Sequence, residues 1–73
     1  MLVDTFNDFV NAVADHSYKH PELGWRMGQH AFNMLNRVRP DIAFMVAGSD
    51  FDPFYSDSNL LAFYDFVARH WEA

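Results

Sequence analysis

Two X-Pro junctions, His20-Pro21 and Arg39-Pro40, set the limits on what this chain can fold into. A proline pushes the residue before it out of the helical region and lacks an amide to donate, so each junction ends a helix. The same proline suits the first turn of the next helix. Between these breaks apolar side chains recur every three or four positions, the helical period. No stretch alternates with period two over a useful length. The chain therefore reads as all-α: one compact domain over residues 1–73, built of about four short helices.

With residues placed about 100° apart, the first helix runs from about Asp4 to Ser17. Leu2, Phe6, Phe9, Val10 and Val13 share its inner face, and Asp4, Asp8, Asn11 and Asp15 line the other. The second is expected from Pro21 to about Val38, with a stripe of Leu23, Met27, Ala31, Met34 and Val38. Gly24, Gly28 and Leu35 widen that stripe, and Trp25 and Phe32 lie further round. Two glycines inside a helix cost about 1 kcal/mol each relative to alanine. That cost is tolerable if another helix packs closely on Gly24 and Gly28. A short third helix starts at Pro40-Asp41, packs through Ile42, Met45 and Val46, and is closed by Gly48. An irregular stretch follows from Ser49 to Tyr55. Ser56 or Asp57 then caps a fourth helix reaching about Trp71, with Leu60, Phe63, Tyr64, Val67 and Trp71 on its core face.

A 73-residue chain has little margin over conformational entropy, and this one contains no cysteine with which to staple itself. Eight Phe, three Tyr and two Trp compensate, because aromatic side chains bury large areas each. A net charge of −5 argues against direct nucleic-acid binding, which needs a basic face. The third helix, Asp41-Ile42-Ala43-Phe44-Met45-Val46-Ala47, carries nothing that reads base edges, so it fails as a recognition helix. No apolar run is long enough to span a membrane, and no basic residues precede an apolar stretch at the start. A cytoplasmic protein without a membrane partner is expected.

Chemical motifs are scarce. His16 and His20 stand four apart, a spacing that can serve zinc, but His20 precedes a proline and no third ligand is placed. His30 and His70 fall at helix-face boundaries and need no special role. A calcium loop beginning at Asp50 would need glycine sixth and glutamate twelfth, where Tyr55 and Leu61 stand. The plainer reading is that Asp52 and Asp57 cap turns, with Asp50 pairing with Arg37 or Arg39. No serine lies in a nucleophile elbow, and three scattered glycines form no phosphate loop. The sequence therefore assigns no catalytic residue, no cofactor and no metal ligand.

The aromatic surplus is more informative. Trp25, Phe32, Phe44, Phe51, Tyr55 and Phe66 all fall off the centres of the core stripes. Most would serve as lids over a small core, yet Trp, Tyr and Arg are the types enriched at binding hot spots. The residues assigned to a partner are Trp25, Arg26, Arg39, Asp50, Asp52, Tyr55 and Phe66.

Gly28-Gln29, Phe32-Asn33, Leu35, Val38-Arg39-Pro40-Asp41 and Ala43, followed by Gly48-Ser49-Asp50 and Asp52-Pro53-Phe54-Tyr55, resemble a pattern in small phage and bacterial proteins. Those proteins have no assigned biochemical function, so the resemblance implies phage or prophage origin and no chemistry. It adds to one functional expectation: a non-catalytic interaction module, acting on a host protein in the host cytoplasm by occluding its surface, with a homodimer also open. An acidic nucleic-acid mimic that blocks a DNA- or RNA-binding protein is the alternative, and a small enzyme a more distant one.

Overall fold

The computed structural model describes residues 3–72, and these form an all-α domain. The described residues contain four α-helices and no strand: α1 (Phe6–Lys19), α2 (Met27–Val38), α3 (Pro40–Val46) and α4 (Leu60–His70). One 3-10 turn, Pro21–Leu23, precedes α2, and another, Asp57–Asn59, leads into α4. Leu2, expected on the inner face of the first helix, lies outside the described residues.

Helix α1 begins at Phe6, two residues later than expected, because Thr5 caps it. The Asp8 amide donates to Thr5 Oγ1 at 3.1 Å, and the Thr5 amide donates to Asp8 Oδ2 at 3.2 Å. This reciprocal box satisfies two amides that a helix start otherwise leaves open. Thr5 and Asp4 amides on its oxygens hold the Asp8 carboxyl below the usual carboxylate range.

The largest departure from expectation is the start of α2. Pro21 does open a turn, but Gly24 takes a left-handed conformation at φ 66°, closes that turn and breaks the helix. The helix proper starts at Met27. Its buried line is Gly28, Ala31 and Leu35, with His30 beside it, while Leu23 and Met27 stand about two-fifths exposed. The close approach expected at Gly28 is real, although a loop makes it rather than a helix. A Cβ there would meet the Pro53 carbonyl oxygen at 2.0 Å and an Asp57 carboxylate oxygen at 2.8 Å.

Helices α1 and α3 both pack chiefly on α2, and α4 closes the core. Phe9, Val13, Leu35, Ile42, Val46, Phe63 and Val67 are all at most 1% exposed. In α3, Ala43 replaces the expected Met45 in the core, since Met45 is 47% exposed. Trp71 ties both ends of the chain together. Its ring stacks on Phe9 at 5.5 Å, its indole N–H donates to the Asp4 carbonyl at 3.1 Å, and Arg39 lies 5.1 Å over its face. Burial of Tyr64 in the same aromatic group pushes its hydroxyl up to about 12.

Candidate partner-binding face

The segment between α3 and α4 has no regular structure long enough to hold itself, so side chains brace it. Asp52 is the keystone. It is 5% exposed, and its two carboxylate oxygens accept from the Gly48 amide at 2.8 Å and the Phe54 amide at 2.9 Å. Its own carbonyl accepts from the Asn59 side chain at 2.9 Å. Asp57 reaches across to α2 and accepts from the Gly28 amide at 2.8 Å, capping a helix 29 residues earlier in the chain. Arg26 joins the same clasp through the Phe54 carbonyl and through Asp57 at 3.6 Å.

This clasp presents aromatics to solvent. Tyr55 is 78% exposed and Phe44 86%. A shallow apolar groove of about 250 Å3 runs beside Tyr55, walled by Phe32, Ala47, Gly48 and Phe54. Phe44, on α3 just ahead of Ala47 and Gly48 in the chain, projects into solvent and is not part of the groove lining. Phe32 and Phe54 meet edge to face at 5.9 Å, so the groove floor is fixed by packing.

The seven residues assigned to a partner from sequence divide accordingly. Tyr55 and Asp50 are exposed at this face. Arg26 is exposed but spans the clasp. Asp52 lines the groove but is only 5% exposed, and both of its carboxylate oxygens are taken up by loop amides. Arg39 is likewise engaged: it donates to the Trp71 carbonyl at 2.6 Å and pairs with Asp41 at 2.9 Å, rather than with Asp50. Phe66 leans on the core, stacked against His70 at 4.0 Å and tilted against Phe51 at 4.6 Å. Trp25 does not line the groove; it is 37% exposed and packs against His16 and His30. Phe44, the most exposed phenylalanine, is the residue the sequence-based assignment passed over. Its signal was present: with Ile42, Ala43 and Val46 inward, position 44 of a seven-residue helix has to point out.

Beside Trp25, the histidines are closer than the sequence indicates. His16 Nδ1 lies 2.9 Å from His30 Nδ1, and the His16 and His20 rings are 4.6 Å apart. His30 is 3% exposed, so it is a core residue and not a boundary one. Burial, reinforced by His20, His30 and Arg37, holds the His16 imidazole below its ordinary value. His20 donates to Glu22 at 3.0 Å. Among the described residues no group of three or more His, Asp or Glu side chains is arranged to hold a metal ion.

Comparison with protein-family models, with curated proteins and with solved structures finds no match to this chain. No helix among the described residues is long and apolar enough to cross a membrane.

Proposed function

We propose that the protein is a non-catalytic interaction module that occludes a surface of a protein partner through the groove between α3 and the Asp52 loop. The exposure of Tyr55 against a braced apolar groove carries this reading, with Phe44 a second exposed aromatic on the adjoining helix. Exposed aromatic side chains next to a pre-formed apolar depression are the usual centre of a binding hot spot. Asp50 lies exposed next to the groove-forming loop, so the partner segment that fits is apolar or aromatic and flanked by basic residues. The resemblance to small phage and bacterial proteins favours a host protein as that partner.

The surface lends less support to an acidic mimic. A mimic needs uncompensated carboxylates in a row, as along a phosphate backbone. Here Asp15, Asp41, Asp57 and Asp65 sit in ion pairs, Glu22 accepts from His20, Asp52 is buried, and Asp8 caps a helix.

The test is a pull-down from host lysate at low and high salt, with the wild type and a Phe44→Ser variant compared by mass spectrometry. One specific protein retained at high salt and lost with Phe44→Ser is the expected result. Retention only at low salt, unaffected by Phe44→Ser, would move the reading to electrostatic mimicry.

A further inference from the structure

We propose that a second site, the cleft between the end of α1 and the middle of α2, binds a small oxyanion through Arg37, Asn33 and His16, beside Trp25. The cleft has a volume of about 200 Å3 and no carboxylate lines it. A second cleft of about 210 Å3 adjoins it, sharing His16, Met34 and Arg37.

Three observations converge. The first is charge. Lys19 pairs with Asp15, Arg26 with Asp57, Arg39 with Asp41 and Arg69 with Asp65. Among the described residues, Arg37 is the one lysine or arginine with no described carboxylate within ion-pair distance. In a chain with ten acidic and five basic residues, the guanidinium left over is the one at this cleft. A guanidinium presents parallel N–H donors that match carboxylate and phosphoryl oxygens. The second is donor supply. The Asn33 amide, one turn before Arg37, makes no hydrogen bond to a described residue and is free to donate.

The third is the histidine pair. With 2.9 Å between the two Nδ1 atoms, one proton fits between them and a second would set two N–H groups head to head. His30 therefore occupies His16 Nδ1 and leaves the His16 Nε2 edge for a ligand. If His30 donates, neutral His16 carries its proton on Nε2 and is a donor. If His16 instead donates from Nδ1 to His30, whose own proton then sits on Nε2, one further proton on His16 Nε2 makes it a cation that donates from both edges. An anion thus draws at most one proton onto the pair, and binding tightens as pH falls. The charged and titratable groups around His16 are Asp15 and Lys19 on α1, His20 just past its end, Glu22 on the 3-10 turn, and His30 and Arg37 on α2. The two carboxylates are already held, Asp15 by Lys19 and Glu22 by His20, which leaves the cleft to Arg37.

Sulfate and acetate are suitable probes, because both stay almost fully ionised between about pH 6 and 7.5. Each is titrated at constant ionic strength while NMR follows the imidazoles of His16 and His30 and the Trp25 indole N–H. The expected result is a saturable shift confined to those groups, with affinity rising up to about tenfold per pH unit on acidification. Arg37→Gln, an exposed position, should weaken binding by about tenfold or more without altering the thermal midpoint. Tighter sulfate would assign the site to phosphoryl or sulfuryl groups, and tighter acetate to carboxylates. No saturable shift with either anion, or equal affinity in Arg37→Gln, would overturn the proposal.

Discussion

Phe9 and Phe44 are the same residue type in one small domain, yet Phe9 is 0% exposed and Phe44 86%. The difference follows from what surrounds each. Phe9 sits on a 14-residue amphipathic helix and is enclosed by Phe6, Phe63, Tyr64 and Trp71, whose rings lie 5.5–6.3 Å from it. Phe44 sits on a seven-residue helix whose inner side is already filled by Ile42, Ala43 and Val46. One aromatic group spends its surface on holding the chain ends together. The other keeps its surface, beside a loop whose polar groups are satisfied internally by Asp52 and Asp57. A chain this short makes the contrast informative, because surface left uncovered is stability forgone.

Substitutions should separate the two regions by size of effect. Phe9→Ala should cost about 4 kcal/mol, much of the stability a 73-residue domain has, measured by urea denaturation. A cost below about 1 kcal/mol would mean the aromatic end is not the structural one. Gly28→Ala should cost about 3 kcal/mol, since the added methyl runs into the Pro53 carbonyl and the clasp must open. Its thermal midpoint, set beside that of Gly24→Ala, distinguishes close approach from backbone strain, because Gly24 has nothing within 4 Å of its would-be Cβ. Asp52→Asn should lower stability by about 2 kcal/mol, or about 10 °C in midpoint, because a carboxamide offers one acceptor where two amides donate.

Acidification should act at the histidine end. His16 is held below its ordinary value in the fold, so the unfolded chain binds the proton more readily. The resulting stability is complete above the ordinary histidine value of 6.5 and is lost as pH falls from there through the folded value. His16→Gln should flatten that part of the pH profile. The smallest effect belongs to the exposed pair: Phe44→Ser and Tyr55→Ser should each change stability by no more than about 0.5 kcal/mol.

How far the sequence was legible follows the same division. Helical class, the breaks at His20-Pro21 and Arg39-Pro40, and the inner faces of α1 and α4 were readable because periodicity and proline are local signals. The start of α2 was misplaced because Gly24 looks helical by period while its φ of 66° closes a turn. Cross-chain contacts were not readable at all. Asp57 capping α2 and His16 meeting His30 depend on how the turn and the loop fold back, which no spacing encodes. Asp52 was rightly read as a turn residue, yet its second assignment, as a partner contact, fails on burial.

The most direct test of the interaction face is a quantitative capture of the lysate partner at high salt by three proteins: wild type, Phe44→Ser/Tyr55→Ser and Trp25→Phe. The account predicts that the double variant keeps its thermal midpoint and loses the partner, while Trp25→Phe retains it. Undiminished capture by the double variant would contradict the account and move the contact surface away from the groove.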